Sequence, residues 1–322
     1  MKLKSRVHAV AVTVILLCPM FALSDRALAE EEPLMRRLTQ QFEDSDIIFQ
    51  RSQTNAPFIP LAFIGATTYG DAEVEGARTG DVDYSVSTVS QAAGLPILLT
   101  DRDALVIGEY LSWSEFDVGG AQNESFSVGS VGVPVGWLRQ VNDQWQSVAF
   151  IMPLGHRDNL KGSEWSWQTL GGVFARYTQH DRLWWAFGFY ADVAPGEDFY
   201  IPYVGASWAI DERWTISAIM PWPGIIYAPS ENWFLRLGVS PSGASWSFNP
   251  QGGGDTSVNL DAWDFGLSIE RRVHKNFWVS AEAGIGGFRG LRLDGTDVES
   301  PELDVSTSPF LGINFNFRPS PN

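Results

Sequence analysis

The residues of this chain best suited to chemistry are a histidine and a serine near the middle of the sequence. His156 opens the stretch His156-Arg157-Asp158, and Ser163 follows seven positions after His156. A lipid hydrolase needs a nucleophile, a base and an orienting group within hydrogen-bond reach. Ser163 and His156 could supply the first two, so a membrane-embedded lipid-modifying enzyme is one candidate function. Because serine and histidine are also common at the ends of loops, the sequence predicts no catalytic residues.

Acidic residues gather in two loop-like stretches that contain almost no bases. The two groups are Asp294, Asp297, Glu299, Glu302 and Asp304, and Asp71, Glu73, Glu75, Asp81 and Asp83. Crowded carboxylates can bind a divalent cation, but they more often form a solvated loop whose charges repel each other. The sequence contains no nucleotide-binding loop, zinc-ligand spacing or EF-hand pattern. We therefore predict no metal and no cofactor.

A third set of ionisable residues stands inside stretches where apolar and polar residues alternate. Over residues 233–240, for example, Leu235 and Leu237 alternate with Arg236 and Gly238. A period of two is typical of a β-strand with two different faces. If the apolar face contacts lipid, the charges must point inward, where they need water or one another. The alternation therefore predicts six lumen-facing residues: Arg176, Asp192, Arg236, Asp264, Glu270 and Glu282.

The elements that must position these residues are hairpins in which an aromatic residue directly follows a short polar turn. The clearest example is Asp211-Glu212-Arg213, which is followed by Trp214. A soluble β-sandwich would not keep its tryptophans in step with its turns, whereas a membrane barrel places an aromatic girdle at each interface. The predicted periplasmic girdle consists of Trp145, Trp184, Trp185, Trp214, Trp233, Phe277 and Trp278.

Fourteen such alternating stretches lie between residues 60 and 317, and short turns alternate with longer, acidic or glycine-rich loops. This pattern predicts an all-β fold, a transmembrane antiparallel up-and-down β-barrel of about fourteen strands, with twelve as the alternative. The stretch Met220-Pro221-Trp222-Pro223-Gly224 breaks the rule, because it is a tight turn where a long loop is expected. The strands beside it are too short to span a bilayer. We call this predicted feature the low wall.

The chain opens with features of an export signal and has an acidic composition. Cationic residues precede an apolar run, and Ala27-Leu28-Ala29 is a small-x-small site that predicts cleavage between Ala29 and Glu30. The chain has 22 Lys+Arg, 38 Asp+Glu and one cysteine, Cys18, which lies inside the predicted signal. Disulfides and thiol catalysis are therefore not expected in the mature protein, and a net charge of −16 makes nucleic acid an unsuitable partner.

The sequence thus predicts four segments. They are a signal peptide at 1–29, a periplasmic N-terminal tail at 30–58, an outer-membrane barrel at 59–317 and a C-terminal tail at 318–322. The end of the last strand, Gly312-Ile313-Asn314-Phe315-Asn316-Phe317, resembles the signal by which bacterial outer-membrane barrels are recognised for assembly. That resemblance implies the barrel-assembly machinery as a partner.

A second resemblance involves the arrangement Pro221-x-Pro223 … Tyr227 … Trp233. Together with the tryptophan-led hairpins, it is similar to a family of bacterial outer-membrane β-barrels known only as a domain of unknown function. The resemblance implies the fold and the outer-membrane location, and it implies no activity and no site residues.

Three functional classes follow from the sequence. The first is a channel or transporter for small solutes with a polar lumen, since fourteen strands enclose more space than the side chains of an eight-stranded barrel can fill. The second is a structural barrel with a filled interior, and the third is the lipid-modifying enzyme. We expect the surrounding partners to be outer-membrane lipids and lipopolysaccharide. The sequence does not identify the solute.

Overall fold

The computed structural model describes most of the chain from residue 40 onward. The described residues are 40–42, 44–48, 54–74, 82–119, 124–160, 163–194, 197–220, 222–242, 244–248, 256–295 and 302–318. The predicted signal peptide, its cleavage site at Ala29 and Glu30, and the centres of both acidic loops lie outside these residues. No helix in the described ranges is long and apolar enough to cross a membrane.

The chain divides into two compact units, Met1–Ser45 and Asp46–Asn322. In the first unit, residues 40–42 are helical, and the Ser45 hydroxyl donates to the carbonyl of Phe42 at 2.8 Å. The second unit contains a single antiparallel sheet.

Among the described residues, seventeen strand segments form fourteen strands, because three strands are briefly interrupted without a change of register. Gly132 pairs with Leu154 and Val135 pairs with Ile151, so the pairing continues in step across the break at 133–134. Pro134 lacks an N–H group and cannot contribute to the ladder there. The same continuity holds across 242–243 and 306–307.

In chain order, the first seven strands are β1 (Ala62–Val74), β2 (Val82–Thr100), β3 (Asp103–Val118), β4 (Glu124–Gly132 and Val135–Gln140), β5 (Trp145–Asp158), β6 (Ser166–His180) and β7 (Leu183–Ala194). The second seven are β8 (Glu197–Ala209), β9 (Trp214–Ser217), β10 (Gly224–Ser230), β11 (Trp233–Pro241 and Ala244–Phe248), β12 (Thr256–His274), β13 (Phe277–Gly295) and β14 (Glu302–Val305 and Ser308–Phe317).

The sheet closes on itself, because the last strand pairs with the first. Tyr69 of β1 pairs with Phe310 of β14, and Val74 pairs with Val305 farther along the same ladder. Each of the other strands pairs antiparallel with its neighbours in the chain. The prediction of a fourteen-stranded up-and-down barrel is confirmed, and the alternative of twelve strands is wrong.

The outer face of the barrel is apolar and the inner face is more polar. On β12, Phe265, Leu267 and Ile269 are exposed on the outside, whereas Asp264 and Glu270 are buried on the inside. A soluble protein would place the apolar set in its core, since exposing it to water is unfavourable. The outward apolar band, together with the absence of sheet edges, is what a hydrocarbon environment requires of a strand-built protein.

The two strands of the predicted low wall are short. β9 has four residues and β10 has seven, whereas β8 has thirteen. The neighbouring strands β8 and β11 therefore extend beyond the β9–β10 hairpin on the side away from the short turns.

Candidate functional site: the barrel interior

The interior of the barrel is the candidate site, and the alternation of side chains decides which residues reach it. The structure places all six predicted lumen-facing residues on the inward set: Arg176, Asp192, Arg236, Asp264, Glu270 and Glu282. Of the six, Asp264 and Glu270 are buried, and the other four are partly exposed. The interior is therefore not uniform, and its walls differ in chemistry.

One wall of the interior is polar and is formed by β1 and β11–β14. The Tyr69 hydroxyl donates to Asp264 Oδ2 at 2.5 Å. Arg236, Ser268 and Glu282 occupy directly paired positions on β11, β12 and β13. This wall thus presents carboxylates, hydroxyls and one guanidinium toward the inside of the barrel.

Arg236 also holds the low wall in place from the inside. Its Nη2 donates to the carbonyl of Val239 at 3.0 Å and to the carbonyls of Trp222 and Pro223 at 3.4 Å each. Such bonds satisfy carbonyl groups at the end of the β9–β10 hairpin, where proline cannot continue the ladder. The side chain predicted to line the lumen therefore also has a structural role.

Glu270 does not line open space, because it forms a buried ion pair at the end of the barrel where the short turns lie. Arg318 Nη2 is 2.8 Å from Glu270 Oε2, and the two residues are 8% and 6% exposed. Asn316 Nδ2 donates to the same oxygen at 3.3 Å, and Trp278, which is 1% exposed, lies under the Arg318 guanidinium. The sequence placed Arg318 in a C-terminal tail, and the structure places it inside the barrel.

The segment before β1 follows the inner rim at this same end. Its first contact is an ion pair between Asp46 and Arg102, with Oδ2 and Nε 2.7 Å apart. The next contacts, in chain order, are Ile48 N to Gln140 Oε1 at 3.2 Å, Arg176 Nη2 to Ile48 O at 3.0 Å, Asn55 Nδ2 to Ala228 O at 3.2 Å, and Arg318 Nη1 to Phe58 O. Residues 46–48 and 54–58 of the predicted N-terminal tail thus contact the barrel from the turn after β2 round to the residue after β14.

The opposite wall of the interior, on β5–β8, carries a row of aromatic rings. The ring centroids of Phe150 and Phe174 are 5.9 Å apart, and those of Phe174 and Tyr203 are 4.9 Å apart. Tyr190 extends the row from Phe150 at 6.4 Å, and Trp222 extends it from Tyr203 at 6.2 Å. We call these five residues the aromatic wall. It runs from β5 to the hairpin of the low wall.

Two glycines, one on the same strand and one on the next, give the Phe174 ring its space. A Cβ atom on Gly188 would be 2.5 Å from Phe174 Cδ1, and one on Gly172 would be 2.9 Å from Phe174 Cε2. Both distances are far below a normal contact, so any side chain at these positions would displace the Phe174 ring. The glycine-rich composition of β6 and β7 therefore supports the aromatic wall.

His156 lies inside the barrel but does not pair with Ser163 as a hydrolase would require. Its Nδ1 is 2.8 Å from Ser130 Oγ, and its Nε2 is 2.9 Å from Gln168 Oε1. Gln168 Nε2 continues the chain of hydrogen bonds to both carboxylate oxygens of Asp192, at 2.7 and 2.8 Å. Ser130, His156 and Gln168 are all buried. Because a hydrolytic serine must reach its substrate, we interpret this network as a structural link between β4, β5, β6 and β7.

The predicted aromatic girdle is corrected at two positions. Five members are exposed on the outer face, namely Trp145, Trp185, Trp214, Trp233 and Phe277. Trp184 and Trp278 are buried on the inner face instead. The reason is the alternation of side chains, since of two adjacent strand residues only one can face the lipid.

Turn chemistry fixes where the strand after a short turn begins. Asn142 Oδ1 accepts hydrogen bonds from the N–H groups of Gln144 and Trp145 at 3.0 and 2.9 Å. Asp211 Oδ1 accepts from the N–H groups of Arg213 and Trp214 at 2.7 Å each, and these bonds hold the pKa of its carboxyl below the ordinary value. A side chain that caps its own turn fixes the height at which the next strand begins.

No family model matches this chain, and no curated protein matches it. Several solved structures are similar in fold. A FadL homologue from Pseudomonas aeruginosa has 11% identity and a TM-score of 0.43, with 81% of this chain and 91% of that chain covered. The CymD monoaromatic hydrocarbon channel has 11% identity and a TM-score of 0.44, covering 81% and 89%. The P. putida toluene transporter TodX has 10% identity and a TM-score of 0.40, covering 81% and 91%.

These likenesses are too distant to identify a function, and the architecture is established by the chain's own strand pairing. A closed antiparallel barrel with an outward apolar band and aromatic residues beside its short turns is the design of bacterial outer-membrane proteins. This chain is an outer-membrane β-barrel.

Proposed function

We propose that the barrel is an outer-membrane channel for small solutes that carry an apolar or aromatic face. The observation that supports this most directly is the division of the interior into the aromatic wall on β5–β8 and the polar wall on β1 and β11–β14. A barrel of eight strands can be filled by its own side chains, whereas fourteen strands enclose more space. The proposal keeps the predicted channel and narrows the class of solute.

The two walls favour a solute with two different sides. An aromatic ring of the solute can stack on Phe174 or Tyr203, because aromatic pairs gain stability at centroid distances of roughly 4.5–7 Å. Hydroxyl or amine groups on its other side can hydrogen-bond to Glu282 and to water near the polar wall. Neither interaction requires a cofactor or a covalent step.

The segment before β1 narrows the path of a solute at the end of the barrel where the short turns lie. Residues 46–48 and 54–61 lie inside the wall there, and the Glu270–Arg318 pair occupies the space beside them. A solute that enters or leaves at this end must therefore pass beside these residues and the Glu270–Arg318 pair. The predicted partners, namely outer-membrane lipids, lipopolysaccharide and the barrel-assembly machinery, remain predictions.

Osmotic swelling of proteoliposomes tests this proposal with two neutral solutes that share a sugar. The measured quantity is the ratio of the entry rate of phenyl glucoside to that of methyl glucoside. We expect this ratio to be higher for the wild-type protein than for the Phe174→Ser variant. Ser240→Ala, on the polar wall, is the control and should leave the ratio unchanged. If folded protein admits neither solute, the structural barrel with a filled interior is the correct function. If it admits both with the same ratio in all three proteins, the aromatic wall does not select the solute.

A further inference from the structure

A carboxylate stands on the lipid-facing surface of β3, where none was predicted. Glu109 pairs across the sheet with Ala93 and lies between Ile107 and Leu111, which are both exposed on the outer face. The alternation of side chains therefore directs Glu109 outward. Its partner is Gln91, whose Nε2 is 3.3 Å from each carboxylate oxygen.

This carboxylate lies near the middle of the apolar band. Leu105 pairs with the outward-facing Trp137 beside the short turns, and Trp113 is exposed on the outside toward the other end of β3. Glu109 is four residues from Leu105 and four from Trp113. A tilted strand advances about 2.5 Å along the barrel axis per residue, so Glu109 is about 10 Å from either level. The apolar band of such barrels is about 25 Å tall.

A charged or strongly polar group at this depth is costly when only lipid covers it. Charges on the lipid face are destabilising in a depth-dependent way, and ionisable groups inside membranes usually have a specific partner. Among the described residues, no Lys or Arg forms an ion pair with Glu109. Gln91 supplies one amide group at a long distance, which leaves most of the hydrogen-bonding capacity of the carboxylate unused.

We propose that this surface is the contact between two copies of the chain. A twofold axis along the membrane normal would place Gln91 of each copy against Glu109 of the other copy. The pair is self-complementary, because each copy offers one amide donor and one carboxylate acceptor at the same depth. Such reciprocity is the defining property of an isologous interface.

The residues around the pair allow a second barrel to approach closely. Ile64 of β1 pairs directly with Gln91, and the small residues Ala62, Ala66 and Ala93 lie around these two on the outer face of β1 and β2. Small residues let backbones approach each other within a membrane, which strengthens packing and interchain hydrogen bonds. The outer face of β7, by contrast, carries the bulky side chains of Phe187 and Phe189.

A second copy fits this surface better than the alternatives. Lipid acyl chains have no hydrogen-bond donor, so they leave the carboxylate unsatisfied. A different membrane protein would need a donor at the same depth, whereas a copy of this chain carries one in Gln91.

Cysteine cross-linking in outer membranes tests the contact. Cys18 is the only cysteine of the chain, so an introduced cysteine is unique in a Cys18→Ser background. Ala93→Cys lies beside Glu109, and Ala191→Cys on β7 is the matched control at an outward position on another part of the wall. After mild oxidation, we expect at least about tenfold more disulfide-linked dimer for Ala93→Cys than for Ala191→Cys. Equal yields, or monomer only, would overturn the proposal.

A second measurement separates loss of the contact from loss of folding. Glu109→Leu removes a polar group from the lipid face, so the barrel should fold, shift on unheated gels and sediment in detergent as a monomer. The wild-type protein should sediment as a dimer under the same conditions. A monomeric wild-type protein, whether it carries bound lipid or another protein, contradicts the proposal, as does a Glu109→Leu variant that remains dimeric.

Discussion

At the scale of single residues, the ion pair between Glu270 and Arg318 shows what a buried charge requires. Both side chains are nearly inaccessible, and Asn316 and the carbonyl of Phe58 complete their hydrogen bonds. Removing charges from water is expensive, so such a pair is stable only when it is fully satisfied. The pair ties Arg318, the first residue after β14, to β12, and Arg318 also contacts the segment before β1.

The first prediction concerns this pair. Arg318→Met leaves the Glu270 carboxylate buried without a countercharge, and we expect the free energy of unfolding to fall by about 3–5 kcal/mol. Urea unfolding in detergent micelles measures the change. The double variant Arg318→Met/Glu270→Gln should recover most of the loss. If both variants are equally destabilised, the cost comes from packing and not from the isolated charge.

The second prediction concerns the lipid face. Leu237 is 57% exposed on the outside, four residues beyond the girdle residue Trp233. Leu237→Arg places a charge near the middle of the membrane and should cost about 2–4 kcal/mol. Leu237→Met keeps the apolar surface and should change the stability by less than about 1.5 kcal/mol. Refolding into lipid vesicles gives both values, and similar yields for the two variants would mean that this face does not contact lipid.

Residue types and local spacing were enough to predict which faces of the strands point inward. The inward direction of the six charged side chains follows from a period of two, which is a local property. The same rule, applied strictly, would also have excluded Trp184 and Trp278 from the girdle, since each has an outward-facing neighbour. The contact between Ser130 and His156 could not be predicted, because register brings together residues that are 26 positions apart.

At the scale of elements, the β9–β10 hairpin is the irregular part of the wall. From Trp214 to Ile219 the strand climbs about 12 Å, or about half of the apolar band. The turn that follows contains Trp222, whose ring is the last of the aromatic wall. The carbonyl groups of Trp222 and Pro223 in this turn accept hydrogen bonds from Arg236. We therefore propose that the wall is low on this side and that the hairpin ends within the membrane.

The third prediction measures the depth of this hairpin. Met220 is exposed on the outer face at its end. We compare spin labels at Met220→Cys and Leu237→Cys. The two labels should be equally accessible to oxygen and equally protected from a water-soluble nickel complex. A label at Asp117→Cys, near the far end of β3, serves as the water-exposed reference. If Met220→Cys behaves like this reference, the hairpin stands in water and the wall is not low.

The existence and order of all fourteen strands could be predicted because turns and alternation are local signals. The inner course of residues 46–48 and 54–61 could not, since these residues show no strand alternation. Its position depends on contacts with Gln140, Arg176 and Ala228, which belong to strands far apart in the sequence. The buried position of Arg318 could not be predicted for a similar reason. Arg318 follows the last alternating stretch, and its position depends on the ion pair with Glu270.

At the scale of the whole molecule, an apolar band surrounds an interior with one polar and one aromatic wall. This arrangement separates lipid from water. Lipid contacts only the outward side chains, and the inward side chains can contact water and solute. Besides the Glu270–Arg318 pair, the predicted inward charges are three carboxylates, Asp192, Asp264 and Glu282, and two guanidinium groups, Arg176 and Arg236, so the interior is slightly more favourable for cations than for anions. The central claim is that this interior conducts.

The most direct test is the conductance of single refolded barrels in a planar lipid bilayer. We predict discrete current steps from protein that shifts on unheated gels, with cations preferred over anions in a salt gradient. Heat-unfolded protein should give no steps. A silent bilayer containing correctly folded barrels would contradict the account and would show that side chains fill the interior.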